Sequence, residues 1–213
     1  MDERTTGLIL RTRPLTETSL IVQWLTRDLG RLATVAKGAR RSKSPFLGKL
    51  DLFYLADLSF ARSRRSELHA LREISLRETH SALREELGYL QQAAYCAALI
   101  EQTTETETPL PVLFQLMLDL LTSLPAETPQ PRTIFSFEMK LLNELGMKPS
   151  LKESKLSTGA KQILHKLSEM DWPNLSRIKL SVAQATEIDQ FLNSFLIYHL
   201  GKVPKGRSAA LGG

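Results

Sequence analysis

The residues of this sequence best suited to chemistry are its clustered cations. Lys37-Gly38-Ala39-Arg40-Arg41-Ser42-Lys43-Ser44 places four of them in eight positions with no acid between. Arg62, Arg64 and Arg65 form a second group, Arg11 and Arg13 a third, and Arg27 and Arg31 a fourth. Guanidinium forks and ammonium groups neutralise phosphate oxygens, and the hydroxyls of Ser42 and Ser44 can donate to the same oxygens. Such contacts hold a polyanion without reading its sequence. A solvated loop with incidental charge would have the same composition, so the reading rests on several clusters meeting on one surface. Trp24, Phe46, Phe53 and Tyr54 are the aromatic residues that could stack on unpaired bases. Phe46, inside the basic stretch, is the preferred platform, and Trp24 is expected to pack inside the fold.

Catalytic combinations are missing from the sequence. His69, His80, His165 and His199 are dispersed, and no His-x-x-x-His pair, Gly-rich phosphate loop or Gly-x-Ser-x-Gly elbow is present. Cys96 is the single cysteine, which excludes an intrachain disulfide and any zinc site built on paired cysteines. It lies in the small-residue run Ala93-Ala94-Tyr95-Cys96-Ala97-Ala98 and reads as packing. These observations predict a binding protein without cofactor or metal rather than an enzyme.

Charge divides unevenly along the 213 residues. Residues 1–80 carry 15 Lys and Arg against 9 Asp and Glu, whereas residues 81–213 carry 13 against 14. The entire excess of +5 therefore comes from the first part, and a polyanion partner is expected there. The most apolar stretch, Val112 to Leu124, is interrupted by Gln115 and Asp119, so no membrane span is expected. The acidic start Met1-Asp2-Glu3-Arg4 does not resemble a secretory leader, and a cytoplasmic, nucleoid-associated location is expected.

These residues need a scaffold, and the hydrophobic period supplies one. Residues 6 to 78 alternate with period two. Strands are expected at Thr6–Thr12, Ser19–Thr26, Arg31–Lys37, Leu52–Ala61 and Glu67–Ile74. Five short antiparallel strands suit a small closed barrel, of either OB or SH3-like topology. Beyond residue 80 the period becomes 3.6. Leu83, Leu87, Leu90, Ala94, Ala97 and Ile100 are expected on one helical stripe ending near Thr104, where the polar run Glu105 to Pro109 stops it. Further helices are expected at Pro111–Leu124, Thr133–Met147, Thr158–Met170 and Val182–Leu200, the last opened by a Ser181/Gln184 capping box. The fold class is α+β multidomain: a five-stranded barrel over 1–80, binding DNA, and an all-α partner-binding domain over 81–213.

Several segments together resemble the RecO family of recombination mediators. They are Leu8 to Val22, Gly30 to Ser44, Leu71-Arg72-Glu73, Phe137 to Pro149 and, more faintly, His199 to Lys205. The resemblance implies an OB-fold on a helical domain. In an OB-fold the strand 1–2 and 4–5 loops frame the face that holds oligonucleotide, which would gather Arg13, Arg27, Arg31, Lys37, Arg40, Arg41, Lys43, Arg64 and Arg65 onto DNA. It also implies binding of single- and double-stranded DNA, strand annealing, and partnership with RecR, with RecF and RecA as indirect partners. A further implied partner is the acidic tail of single-strand-binding protein, docking on the helical domain with Arg132 and Lys140 as possible rim residues. Leu151 to Ala160 holds no cysteine, so the chain looks like a zinc-free form, and Ser136 stands where many relatives have arginine. An OB-fold interaction module for an acidic protein tail or structured RNA is the alternative reading.

Overall fold

The computed structural model describes residues 2–212 and divides the chain into two compact units. The first runs up to Ser81 and takes in Thr104–Gln115; the second is formed by Ala82–Thr103 and the chain from Leu116 onward.

The first unit is built on β1 (Asp2–Pro14), β2 (Leu20–Thr26), β3 (Gly30–Ala36), β4 (Leu55–Ala61) and β5 (Leu68–Glu78), closed in the order β1-β2-β3-β5-β4. Adjacent strands are antiparallel except β3 and β5, which pair in parallel from Ala33↔Leu68 to Val35↔Ala70. That one parallel closure distinguishes the OB-fold from the other barrels open to this pattern. β1 is longer than its alternating segment because it serves two neighbours. Its first half pairs with β4 (Asp2↔Ala61 to Leu8↔Leu55) and its second with β2 (Gly7↔Thr26 to Pro14↔Leu20). Gly7 sits where the two pairings overlap; a Cβ there would lie 3.1 Å from the Trp24 ring and 3.2 Å from Leu58. A register shift between Ile9 and Arg11 then bends the strand.

Ile9, Val22, Trp24, Leu32, Leu58 and Phe60 fill the barrel, and Trp24 is wholly buried with its indole Nε1–H donating to Thr34 Oγ1 at 2.9 Å. β4 begins at Leu55 rather than Leu52, because Phe53 turns into the left-handed region (φ 63) and is buried. Its amide still bonds the Ile9 carbonyl at 2.8 Å. Phe46 is a second correction. It is 7% exposed and belongs to the barrel core, so it anchors the basic connector from below and offers no face to a base.

The second unit is all-helical. α1 (Leu87–Thr103) is followed by the end of α2 (Pro111–Ser123), then α3 (Pro131–Glu144), α4 (Thr158–Glu169), α5 (Val182–Leu200) and the short α6 (Arg207–Ala210). The α5 start carries the expected reciprocal Ser181/Gln184 cap. α3 is central, with every residue from Thr133 to Met139 buried. Phe135 and Met139 pack with Leu164 and Leu167 of α4 and Ile188 and Leu192 of α5. The stripe expected for α1 is displaced. Leu83 sits in a separate 3-10 turn (Ser81–Arg84), so its phase does not continue into the helix. Leu87 and Ala94 are exposed, and Gln92, Tyr95, Cys96 and Leu99 make up much of the buried face.

Candidate nucleic-acid interface

Beyond the bulge in β1, the register aligns Arg11 with Gln23 and Gln23 with Ala33 across the outer face of β1, β2 and β3. This face forms one wall of a cleft of about 880 Å³. Arg13, Gln23, Arg31 and Ala33 line one side, and the β4–β5 loop from Arg62 to Glu67 lines the other. Arg13, Arg64 and Arg65 are exposed, and among the described residues none of the three is paired with a carboxylate.

Lys37, Arg40, Arg41 and Lys43 lie on the connector leaving β3. They are all exposed and likewise without carboxylate partners among the described residues. The connector is tied to the β1–β2 loop: the Arg40 amide donates to the Thr18 carbonyl at 3.0 Å, its guanidinium to the Thr16 carbonyl at 3.5 Å, and the Gly38 amide to Ser19 Oγ at 3.4 Å. Since β1 enters that loop just after Arg13, the connector is linked through it to the strand end that lines the cleft.

Arg27 is not brought to this cleft. It lines a different concavity of the barrel with Arg4, Asp28, Asp57 and Glu73, where acids offset its charge. Arg31 lines the cleft but is engaged internally, its Nε donating to Thr104 Oγ1 at 2.7 Å and its Nη2 to the Thr104 carbonyl at 2.5 Å. Arg62 is neutralised by Glu3 at 2.6 Å and Glu107 at 2.7 Å, and its guanidinium is held above its ordinary range chiefly by the Glu3 hydrogen bond.

The sequence reading missed the strap that makes these contacts. Residues 104–109 fold back onto the barrel where β5 leaves the start of β3 uncovered. Thr106 forms a parallel bridge with Arg31, and the Glu107 amide donates to the Arg31 carbonyl at 2.7 Å. The Glu107 carboxylate accepts from His69 Nε2 at 2.6 Å. Because His69 Nδ1 accepts from the Ser63 amide at 3.2 Å, the ring proton resides on Nε2. Partial burial opposes ionisation of Glu107, but hydrogen bonds from His69 and Arg62 hold its carboxyl below the usual glutamate range. The local signal was only a polar stretch before Pro109. Nothing in it names a partner 38 residues away.

In the helical unit, Arg132 pairs with Glu127, while Lys140 donates to the Met170 carbonyl at 2.7 Å and lies 5.9 Å from the Trp172 ring centroid. Burial pushes the Lys140 ammonium below its ordinary value. Lys140 is thus occupied internally, whereas the Arg132 Nε–H is buried without a hydrogen-bond partner among the described residues. Ser136 donates to the Leu167 carbonyl at 2.8 Å. Its neighbour Glu138, fully buried, accepts from Tyr95 at 2.6 Å and from Arg207 at 2.7 and 3.1 Å. No cluster of three potential metal ligands occurs among the described residues, and no helix among them is long and apolar enough to cross a membrane.

Comparison with known families now bears on this arrangement. Residues 1–80 match the family model for the recombination protein O N-terminal region, and residues 84–156 match the one for its C-terminal region. The chain belongs to the RecO family. It is 34% identical over 144 residues to a protein named DNA repair protein RecO from Rhodopirellula baltica, covering 68% of this chain and 53% of that one. Proteins of the same name from Bacillus pumilus (34% over 145 residues) and Bacillus subtilis (32% over 145 residues) match 68% of this chain and 56% of their own length. The chain thus spans about half the length of the curated relatives it matches.

Proposed function

We propose that this chain is a non-enzymatic DNA repair protein that holds single- and double-stranded DNA by its phosphates. The barrel, residues 1–80, would carry DNA, and residues 81–213 would carry partner contacts. The observation supporting this most is the cleft bounded by the β1–β2–β3 face and the β4–β5 loop, with Arg13, Arg64 and Arg65 exposed on it and unpaired among the described residues. An OB barrel uses this face and these loops for oligonucleotides. The connector cations Lys37, Arg40, Arg41 and Lys43 extend the positive surface beside the β1–β2 loop.

Such a surface neutralises phosphate charge without sequence preference, and bringing two strands to it lowers their mutual repulsion, which favours annealing. Family membership adds the expected setting: cooperation with RecR in loading RecA onto strands coated by single-strand-binding protein, in the cytoplasm at the nucleoid. The test is a strand-annealing assay on the wild type beside Arg40→Ala/Arg41→Ala, with and without the coating protein. We expect annealing by the wild type and a several-fold slower rate in the variant. Equal rates would remove the connector from the mechanism, and salt-insensitive affinity would sink the electrostatic account.

A further inference from the structure

Residues 190–213 hold three cations, Lys202, Lys205 and Arg207, and no acid. Within the same stretch Phe191, Phe195, Tyr198 and Lys202 follow one another at steps of three or four, so on α5 and its end they share one face. His199 lies one turn beyond Phe195. The four rings form a ladder that leaves the core. Phe191 packs against the core of the helical unit, and its ring centroid is 6.2 Å from that of Phe195. Phe195 is 4.2 Å from His199, and His199 meets Tyr198 edge-on at 5.0 Å. Phe191 and Phe195 are half-buried, whereas His199 is exposed and Tyr198 is 85% exposed. Packing accounts for the inner end of this ladder and not for the outer one.

The charges beside the rings supply a second observation. Gly201, with φ 74, ends α5, and the Gln102 side-chain amide donates to the Lys202 carbonyl at 2.5 Å, which ties the turn to α1. Lys202 and Lys205 are exposed and have no carboxylate partner among the described residues. Arg207, by contrast, is spent on Glu138 and Asp189. The acids of α5 lie upstream of the ladder and are engaged, Asp189 with Arg207 and Glu187 with the Ser157 hydroxyl at 2.8 Å. Glu101, beside Gln102 on α1, already has an interaction of its own. Exposed rings next to unpaired ammonium groups suit an unpaired strand, which offers π-faces and phosphates together. A second copy of this chain would bring from this stretch only further cations and no acid to meet them.

We propose that the end of α5 is a second contact for single-stranded nucleic acid, additional to the barrel cleft. Unpaired bases stack on Tyr198 and His199, and Lys202 and Lys205 hold the flanking phosphates. The contact is selective for unpaired strands, because the bases of a duplex are already stacked on one another. A chain with two strand contacts can hold both partners of an annealing reaction.

The probes are two labelled strands of equal length, an oligothymidylate and an abasic strand with the same phosphates, titrated by anisotropy with the full chain. We expect the thymidylate strand to bind roughly tenfold more tightly. Tyr198→Ala/His199→Ala should bring that preference close to unity, and Tyr198→Trp, which keeps a ring, should retain it. Lys202→Ala/Lys205→Ala should weaken both strands, as should Arg64→Ala/Arg65→Ala in the barrel without altering the ratio between them. Equal binding of the two wild-type probes overturns the proposal, as does a preference that survives Tyr198→Ala/His199→Ala. An oligomer dispersed by Tyr198→Ala with the preference intact overturns it too, since it would assign the face to a second copy. Strand binding that depends on Tyr198 and ignores Arg64→Ala/Arg65→Ala would keep this contact and remove the cleft.

Discussion

Glu107 and His69 meet at 2.6 Å on the edge of the basic cleft, 38 positions apart in the chain, with the carboxylate also bound by Arg62. The contact puts a negative charge where the phosphates of a bound strand are proposed to run. Glu107→Gln keeps the side chain's size and removes that charge, while its amide nitrogen can no longer accept from one of the two donors, His69 or Arg62. Affinity for single-stranded DNA should rise, by roughly two- to fivefold at low ionic strength, and the gain should shrink as salt screens it. Filter-binding titrations at two salt concentrations check both parts. An unchanged or lower affinity would mean that the cleft edge lies outside the DNA path.

The same strap depends on Gly30. This residue has φ 72, and a Cβ built on it would lie 2.1 Å from the Thr108 carbonyl oxygen. Gly30→Ala therefore has both an unfavourable backbone conformation and a collision that only displacement of the strap relieves. The backbone cost alone is about 1–2 kcal/mol. The variant should show a lower thermal midpoint and faster protease cleavage within residues 104–109. Wild-type resistance to cleavage would show that the strap can shift without detaching.

The sequence reading followed local periodicity and failed where distant segments decide the outcome. The alternation of β2 and β3 and the Ser181/Gln184 cap needed only neighbours, so they were legible. The parallel β3–β5 pairing that makes the barrel an OB-fold joins Ala33 to Leu68, a relation no turn signal encodes. Phe46 was misread for a related reason. Its neighbours in sequence are mostly basic and exposed, whereas in the fold it belongs to the same buried core cluster as Trp24 and Leu71. The cations of the candidate site were visible by type. Their sorting was not: that Arg62 is neutralised, Arg31 engaged and Arg27 placed with Asp57 and Glu73 depends on folded positions.

In the helical unit, Arg207 and Asp189 form a pair that extends to Glu138, whose side chain is 0% exposed. Burial pushes the Glu138 carboxyl up, against the opposing hydrogen bond and charge of Arg207. Arg207→Ala would leave an uncompensated buried acid, at a cost of about 3–5 kcal/mol by urea denaturation. The pH dependence follows from the raised carboxyl. A folded state that holds its proton more tightly than the unfolded state has this group's stability contribution in full below the ordinary glutamate value. It loses that contribution as pH rises through the raised value. Arg207→Ala should steepen this decline, so the deficit against wild type should narrow as the solution is acidified. A deficit that is constant with pH would show that Glu138 does not take up the proton.

The cation assignment predicts a graded series. If Arg13, Arg40, Arg41, Arg64 and Arg65 each contact a phosphate, log affinity for single strands should fall with log salt by about 0.7 per contact. Arg40→Ala/Arg41→Ala and Arg64→Ala/Arg65→Ala should each reduce the slope by about 1.4, two contacts' worth, and weaken binding alike across sequences. Arg27→Ala should leave the slope unchanged, because Arg27 lies in a separate concavity with Asp28, Asp57 and Glu73. The comparison separates geometry from net charge, since every variant removes arginine from the same barrel. A slope that dropped equally per arginine removed, Arg27 included, would mean that DNA senses the overall charge of the barrel, and the cleft would lose its special place.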